Sequence, residues 1–399
     1  MPQRSRTEPS PTTVLHLVQP VEGGVARVVT DLVRAQTAEG VRTVVACPPG
    51  GELARRAAEA GARVHIWHAE RAPGPRLPVE LLTAARLIRR VRPHLVHAHS
   101  AKAGLVARLA VRGRVPTVFQ PHAWSFDAVA GRSAGYARVW ERYATRWSTR
   151  TLCVSETERQ AGERAGIAAR WAVIRNGVDL GHFAPEDGDE HAQDTGRARA
   201  RAALGPLRTI PGDAPLALCL GRLCRQKGQD TLLRAWPAVR AAVPGARLVL
   251  VGDGPDRDLL AAGAPPGVLF AGAVDDPRDW LLAADLVVLP SRWEGMALAP
   301  LEAMACGRPV LVTDVSGARE SLPPGHTAHS LVPPDDPPAL AAALVALLGD
   351  ARLRAELGRQ ARAHARAACD VRKTAAAVLD LYQDLVPTPH PLTRKSATR

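Results

Sequence analysis

The sequence contains few aromatic residues, few lysines and no long uninterrupted apolar run. Aromatic side chains make up 4% of the 399 residues, so the interior must be built mainly from Ala, Val and Leu. No stretch approaches the roughly 18 apolar residues that a membrane-spanning helix needs. We expect no secretory signal peptide, because the first apolar run is short and lacks a cleavage site. These absences predict a cytoplasmic protein that is at most peripheral at the inner face of the plasma membrane.

Cysteine is also scarce, and its spacing fits neither a metal framework nor a disulfide framework. The six cysteines are scattered through apolar segments without a C-x-x-C pair, so we expect reduced thiols in the core. Asp187-Gly-Asp189 has the D-x-D form that holds a cation in some sugar transferases, but it lies in an acidic run. His97 and His99 share one face of a strand without an evident third ligand. The sequence therefore predicts no metal site and no cofactor.

The charge balance is strongly basic. Formal net charge is +13, and only four of the 52 cationic residues are Lys. Such a surplus favours phosphate-bearing ligands or an anionic membrane surface. No Lys/Arg-rich run is interleaved with aromatic residues, so nucleic acid is not an expected partner.

Short apolar runs alternate with helical patterns, which predicts parallel β-α-β units. The predicted elements include strand Thr13–Val18 and, in the C-terminal half, strands Leu216–Leu220, Arg247–Val251, Val268–Phe270, Leu286–Leu289 and Val310–Val312 and helices Gln229–Ala242 and Leu298–Ala305. A polar stretch interrupts this alternation. The pattern predicts an α/β fold with two Rossmann-like domains facing each other across a cleft, where ligands bind at the carboxyl ends of strands. The predicted segments are a disordered tail at 1–12, an N-terminal domain at 13–185, a linker with one short helix at 186–214, a C-terminal domain at 215–370, a helix near 371–386 that packs back on the N-terminal domain, and a basic tail at 387–399.

The most informative segment begins at Ser291 and carries two acids eight positions apart, Glu294 and Glu302. Pro300 suits the first turn of a short helix, and Gly307 suits the position just past its end. Free amides at the start of that helix would lie between the two carboxylates and form an anion site. Eight helical residues rise about 12 Å, so the two acids cannot share one proton as a dyad. The pattern favours a long ligand with hydroxyl groups on both sides of its phosphates, such as a nucleotide-sugar.

Other candidate ligand contacts lie in loops that follow predicted strands. Arg222 can give two parallel donors to a diphosphate, and Lys227 stands out because Lys is rare in this chain. Gly23 and Gly24 would let backbone amides approach a phosphate or a sugar. His122 ends a strand and could bind a sugar hydroxyl or a phosphate oxygen. Each of these motifs taken alone is also consistent with solvated loop residues or a satisfied core histidine.

Taken together, these motifs resemble the GT-B glycosyltransferases, in particular the retaining family 4. The resemblance is carried by the Glu294 to Glu302 element, by G-R-L-x-x-x-K-G around Arg222 and Lys227, and by Asn176-Gly-Val-Asp179. It covers residues 13–386 and is more specific in the C-terminal half. Three residues depart from the family pattern: Met296 and Ala297 stand where Phe-Gly is frequent, and Ala123 stands where Gly is common.

The resemblance implies a role for each matched residue. Glu294 would contact hydroxyl groups of the donor sugar, and Glu302 those of the nucleotide ribose. Arg222 and Lys227 would stabilise the leaving diphosphate, and His122 would assist transfer through its backbone or its ring. Further donor contacts are implied for a glycine loop, for the start of the short helix and for a loop that lines the base. These residues are Gly23, Gly24, Gly295, Met296, Ala297, Leu298, Gly272 and Val274.

We therefore expect a retaining, metal-independent glycosyltransferase that uses a nucleotide-sugar donor, most simply a UDP-sugar. Its expected acceptor is a glycan or a lipid-linked precursor, and an anionic membrane surface is a further expected partner. Two alternatives stay open. One is a nucleotide-sugar epimerase or hydrolase of the same fold, which would need a general base near the sugar. The other is a non-catalytic sugar-nucleotide-binding subunit that activates a partner transferase, although such a subunit need not keep Arg222 and Lys227.

Overall fold

The computed structural model describes residues 11–184 and 190–386, without the side chains of 190–195. Most of the predicted tail at 1–12, the tail at 387–399 and the Asp187-Gly-Asp189 motif lie outside the described residues. Within those ranges the chain forms two parallel sheets, with helices connecting successive strands. The prediction of two Rossmann-like α/β domains is confirmed.

The first sheet belongs to the N-terminal half and has seven parallel strands. Its spatial order is 3-2-1-4-5-6-7, so successive strands are added first on one side of β1 and then on the other. Sheets of this kind usually bind ligands at the point between β1 and β4 where the strand order reverses. The strands are β1 (Thr13–Val18), β2 (Arg42–Cys47), β3 (Arg63–Ile66), β4 (Leu95–His99), β5 (Thr117–Gln120), β6 (Arg150–Cys153) and β7 (Trp171–Val173).

The second sheet repeats this arrangement in the C-terminal half. Its six parallel strands run in the order 10-9-8-11-12-13. The strands are β8 (Leu216–Leu220), β9 (Arg247–Val251), β10 (Val268–Gly272), β11 (Leu286–Leu289), β12 (Val310–Thr313) and β13 (Leu331–Val332). Six strands, β1, β4, β5, β8, β11 and β12, are buried at every residue, which explains why the central strands appear in the sequence as mainly apolar runs.

Helices connect the strands and cover the sheets. In the N-terminal half and the following segment they are α1 (Gly23–Ala38), α2 (Leu53–Glu59), α3 (Leu77–Val91), α4 (Ser100–Val111), α5 (Gly131–Ala144), α6 (Glu156–Arg164), α7 (Leu180–Phe183) and α8 (Glu190–Ala203). In the C-terminal half they are α9 (Gln229–Ala242), α10 (Arg257–Ala262), α11 (Arg278–Ala283), α12 (Leu298–Ala305), α13 (Ala318–Ser321), α14 (Thr327–Ser330), α15 (Pro337–Gly349), α16 (Ala351–Ala368) and α17 (Val371–Leu385).

Local sequence explains where the last three helices begin. The carboxylates of Asp336, Asp350 and Asp370 each accept a backbone N–H at 2.9 Å, which satisfies a donor that the first turn would otherwise leave unpaired. Across the described ranges, no helix combines the length and hydropathy needed to cross a bilayer.

Two segments connect the halves. In the stretch expected to be a linker, α8 has 14 residues, and Arg201 donates to Asp285 Oδ2 at 2.7 Å, which ties α8 to the C-terminal sheet. At the other end of the chain, Val178 N donates to Cys369 O at 2.8 Å, and α17 packs against α1 of the N-terminal half. The first and last helices of the two-domain structure are therefore in direct contact.

Candidate active site

Lys227 and Glu294 form a close ion pair at the carboxyl ends of β8 and β11. Lys227 Nζ lies 2.6 Å from Glu294 Oε1, and the same oxygen accepts from Ser291 Oγ at 2.7 Å. The two loops meet at Gly228, where an added Cβ would lie 2.0 Å from the carbonyl oxygen of Pro290. Gly228 also has a φ of 66°, so glycine is required there on both counts. This packing sets the separation of the cation and the carboxylate.

Arg222 extends from the same β8 loop into solvent. Its side chain is exposed and forms no hydrogen bond or ion pair with the described residues. Gly252 and Gly254 pack directly against the backbone of this loop, because a Cβ on Gly252 would lie 2.1 Å from the Gly221 carbonyl oxygen and one on Gly254 would lie 2.2 Å from that of Leu223. Close backbone packing therefore accounts for these two glycines.

The segment from Gly295 to the start of α12 is held by the N-terminal half. A Cβ on Gly295 would lie 2.7 Å from the carbonyl oxygen of His122, so the two backbones are almost in contact. Ser155 Oγ donates to Gly295 O at 3.1 Å, and Asn176 Nδ2 donates to Met296 O at 2.7 Å. The loops after β5, β6 and β7 thus position the predicted sugar and phosphate contacts.

Glu302 lies on α12 and forms an ion pair with Arg27 of α1 across the domain boundary. The Glu302 side chain is 1% exposed, and its Oε2 atom has no hydrogen-bond partner among the described residues. Gly24 lies near the same helix, because a Cβ there would be 3.8 Å from Leu298. Arg27 was not among the predicted site residues, although it follows the glycine loop by one helical turn, a spacing that would have indicated it.

A cavity of about 320 Å³ opens beside Glu302, a volume within the usual range for a small-molecule site. Gly272 and Val274 directly precede the part of its rim that begins at Asp275. Burial raises the pKa of Asp31, which lies on the wall, and the neighbouring Arg34 partly opposes that shift. The remaining lining includes Arg27, Arg34, Arg56, Asp179, His182 and Asp276.

His122 lies at the end of β5 in an unusual backbone conformation. Its φ is 60° and that of Ala123 is 153°, a region that non-glycine residues rarely occupy. Strain of this kind is concentrated at functional sites, where the surrounding structure holds it in place. The ring is half-buried and contacts His99, and burial lowers the pKa of His122 to about 3, so the ring is neutral near neutral pH.

The structure also brings together three histidines inside the N-terminal sheet. His16, His97 and His99 each place one possible ligand atom within 4.8 Å of the others. His16 is the third possible ligand of this cluster. The sequence did not indicate it, because it lies on β1, more than eighty residues away from the other two histidines. Whether this cluster suits an ion depends on the hydrogen bonds that its ring nitrogens already make.

Several predicted site residues lie in contacts between the two halves: Gly24, His122, Gly295, Met296, Leu298 and Glu302. Lys227, Glu294 and Arg222 lie in the loops after β8 and β11 of the C-terminal half. The site offers two carboxylates, each already paired with a cation, the start of α12, an unpaired guanidinium and a neutral imidazole. This combination can bind hydroxyl groups at two positions and stabilise a phosphate anion between them.

Two family models match the chain. Glycosyltransferase Family 4 matches residues 22–182, and Glycosyl transferases group 1 matches residues 214–350. TuaC of Bacillus subtilis, a glycosyltransferase assigned to teichuronic acid biosynthesis, is 30% identical over 300 residues, or 74% of this chain and 72% of TuaC. The lipopolysaccharide core biosynthesis mannosyltransferase LpcC of Rhizobium leguminosarum is 33% identical over 253 residues, or 61% of this chain and 67% of LpcC. The chain belongs to the group 1, family 4 glycosyltransferases.

A solved structure agrees with this assignment at the level of the fold. Anabaena Alr3699/HepE, in complex with UDP and glucose, superimposes with a TM-score of 0.77 at 22% identity over 93% of this chain and 99% of HepE. The fold is therefore GT-B, and the assignment of the protein as a glycosyltransferase rests on the family models and on TuaC.

Proposed function

We propose that this glycosyltransferase moves a sugar from a UDP-linked donor to a glycan or lipid-linked acceptor, with retention of configuration and without an obligatory metal. One observation carries the proposal. Each end of the Glu294 to Glu302 element already has a cationic partner, Lys227 at one end and Arg27 of the opposite domain at the other. A donor that bridges the two domains would use both ends.

The proposed donor lies along this element. Sugar hydroxyls donate to Glu294, ribose hydroxyls donate to Glu302, and the diphosphate faces the backbone from Gly295 to Leu298. The cavity beside Glu302 then takes the nucleoside. The choice of UDP is supported by the neighbouring structure, which has also been determined with UDP-glucose.

The proposed catalytic step is stabilisation of the leaving diphosphate. As the glycosidic bond breaks, negative charge moves onto the phosphate oxygens, and Lys227 and Arg222 are the cations available to receive it. Glu294 is already held by Lys227 and Ser291, so it is better suited to binding hydroxyls than to acting as a nucleophile. The anomeric configuration is then retained if the acceptor attacks the sugar on the same face from which the diphosphate leaves. Two side-chain cations and the start of α12 supply the electrostatic stabilisation that a divalent metal would otherwise provide.

We further propose that α5 of the N-terminal half places the enzyme at the inner face of an anionic membrane. Three large side chains are exposed on this helix, Tyr136 at 65%, Val139 at 61% and Tyr143 at 46%. The exposed charged side chains on α5 and in the turn after it are all Arg: Arg132, Arg138, Arg142 and Arg146. One exposed acid, Asp127 in the turn before α5, interacts with Arg138. Large exposed side chains flanked mainly by cations are typical of a surface that enters an anionic lipid interface. A lipid-linked acceptor would then be near the cleft, because α5 follows the His122 loop.

A donor screen tests the proposed function. Thermal unfolding is followed with UDP-, GDP-, ADP- and dTDP-sugars in EDTA, where a ligand at 100 times its dissociation constant adds about 2.7 kcal/mol. We expect stabilisation by UDP-sugars and, with a glycan acceptor, a product of unchanged anomeric configuration by NMR. Release of nucleotide without any acceptor would favour a hydrolase, and binding without turnover would favour a non-catalytic subunit.

The membrane proposal is tested separately by sedimentation with vesicles. We expect binding to vesicles that contain phosphatidylglycerol, little binding to phosphatidylcholine alone, and release by salt, since each Arg near the surface contributes about 1 kcal/mol. Replacing Tyr136 and Val139 by Ser should weaken binding. Leu259→Ser is the matched control, because Leu259 is 77% exposed but lies in the C-terminal half. Equal losses in the two variants would refute a role for α5.

A further inference from the structure

Four histidines form a continuous group beneath the proposed donor site. His16 lies on β1, His97 and His99 lie on β4, and His122 follows β5. The first three are 0% exposed, whereas His122 is half-buried at the cleft. Burial lowers the pKa of His16 to about 4 and holds those of His97 and His99 well below their ordinary value, so these rings are neutral near neutral pH. A neutral imidazole has one donor nitrogen and one acceptor nitrogen.

Three of these rings are connected in series to a glutamine of α1. Gln36 Oε1 lies 2.8 Å from His16 Nε2, and His16 Nδ1 lies 3.0 Å from His99 Nε2. His99 Nδ1 in turn lies 3.1 Å from His122 Nε2. The series therefore runs from the helix interface in the interior to the ring that faces the cleft.

The direction of every hydrogen bond in this series follows from its first member. The amide nitrogen of Gln36 faces the Tyr382 hydroxyl at 3.5 Å, so the amide oxygen faces His16 and can only accept. His16 must then carry its proton on Nε2 and accept through Nδ1. By the same reasoning, His99 and His122 each carry their proton on Nε2. The nitrogen that His122 retains as an acceptor is Nδ1.

We propose that Gln36, His16 and His99 form a proton-ordering relay that fixes His122 in its Nε2–H tautomer and presents Nδ1 as an acceptor for a hydroxyl group of the donor sugar. The assignment of that ligand rests on the proposed function. Gln36, His16 and His99 are positioning residues, since they act through His122. Without the relay, the ring could adopt either tautomer, and only one of them accepts through Nδ1.

A metal ion at the same cluster would require the protons of His99 and His122 to lie on the opposite ring nitrogens. An ion bound by His16, His97 and His99 would need the lone pairs of His16 Nδ1 and His99 Nε2, which in this structure share a hydrogen bond. His99 would then carry its proton on Nδ1 and donate to His122, which would force His122 into its Nδ1–H tautomer. The tautomer of His122 therefore distinguishes the relay from a metal centre.

The first test is the tautomer in the full-length wild-type protein. Long-range ¹H–¹⁵N spectra of protein labelled on histidine identify the protonated nitrogen of each ring, and His122→Asn identifies the signals of His122. We expect His16, His99 and His122 all to be protonated on Nε2, with no stoichiometric zinc by metal analysis. An Nδ1–H signal for His122, or one equivalent of bound zinc that disappears in His16→Asn, would overturn the relay.

The second test uses Gln36→Leu, which removes the acceptor that orders the series. We expect the Nδ1–H tautomer of His122 to predominate, because His16 Nε2–H loses its acceptor, and kcat/KM to fall roughly tenfold if about a tenth of the rings keep Nδ1 free. The control is Thr43→Val, which removes a partly buried hydrogen bond between β2 and α1 (Thr37 to Thr43, 3.1 Å) that does not involve the histidines. Equal kinetic losses in both variants would overturn a positioning role and indicate general destabilisation.

Monodeoxy donors complete the test. With the donor that lacks the hydroxyl bound by His122, Gln36→Leu should have the same kcat/KM as wild type. With the other deoxy donors, the kcat/KM of the variant should still be lower than that of wild type. An undiminished loss with every deoxy donor would refute the hydroxyl contact. If the tautomers are as expected but no nucleotide-sugar is turned over, the relay stands and the proposed function fails.

Discussion

Replacing Lys227 by Ala removes the cation closest to the proposed donor sugar. In the structure Lys227 Nζ is 2.6 Å from Glu294, and its side chain is 19% exposed, so solvent screens this charge only partly. Removing a preorganised donor of this kind from developing charge typically costs about 2.7–4 kcal/mol, or roughly a hundredfold to a thousandfold in kcat. We expect Lys227→Ala to fall in this range.

The kinetic signature is as informative as the size of the loss. The diphosphate gains negative charge as the bond breaks, so the lost interaction is stronger in the transition state than in the bound donor. We therefore expect kcat to fall more than KM rises. The assay is nucleotide release under saturating donor and acceptor, with the product isolated to confirm transfer.

Stability must be measured alongside turnover, because Lys227→Ala also leaves Glu294 with Ser291 as its remaining partner. A thermal unfolding curve separates this structural effect from the chemical one. Lys373→Ala is the matched control, since Lys373 is an exposed lysine of α17 that donates only to a backbone carbonyl. A folded Lys227→Ala enzyme with kcat within a few-fold of wild type would refute the assigned role of this lysine.

Three further predictions follow from contacts across the cleft. Gly295→Ala should lower activity at least tenfold, because its Cβ would lie 2.7 Å from the His122 carbonyl, and unchanged kcat/KM would contradict that contact. Arg27→Met should lower the free energy of unfolding by about 3 kcal/mol, because it leaves the buried Glu302 carboxylate uncompensated, and denaturant unfolding that matches wild type would refute this coupling. The free energy of unfolding should be insensitive to the histidine cluster above pH 6.5 and fall below it, because burial lowers the folded-state pKa of His16 to about 4 and the unfolded chain then binds the extra proton. Each such histidine contributes up to about 1.4 kcal/mol per pH unit, and a His16→Asn variant with an identical pH profile would contradict this assignment.

Much of the fold could be predicted from the sequence because buried parallel strands are continuous apolar runs. The predicted strands Thr13–Val18 and Leu216–Leu220 and the helices Gln229–Ala242 and Leu298–Ala305 agree with the structure at both ends. β13 was missed, since two residues at a sheet edge carry almost no periodic signal. The assignment of α/β architecture therefore depended on the long, regular elements.

The candidate site was predictable only where its residues are close together in the chain. Glu294, Glu302, Arg222 and Lys227 were found because motifs of a few residues carry them. The ion pair of Arg27 with Glu302 was not predicted, because the two residues lie 275 positions apart in the chain and on different domains. His16 was missed for the same reason, since it looks like one polar residue in a buried strand until β1 and β4 are placed side by side.

The pairing of both carboxylates with cations has a consequence for how a donor would bind. Glu302 is 1% exposed and its partner Arg27 belongs to the opposite domain, so this ion pair itself helps to hold the two halves together. A ribose that bound Glu302 would have to take over that carboxylate, and Arg27 would then need a new anionic partner. The diphosphate of the donor is such a partner, so Arg27 would exchange one anionic group for another. A free sugar has hydroxyl groups but no phosphate, so it could occupy Glu302 only by leaving Arg27 unpaired. Selection of a nucleotide-linked sugar over a free sugar would therefore depend on Arg27 as well as on the residues that contact the base.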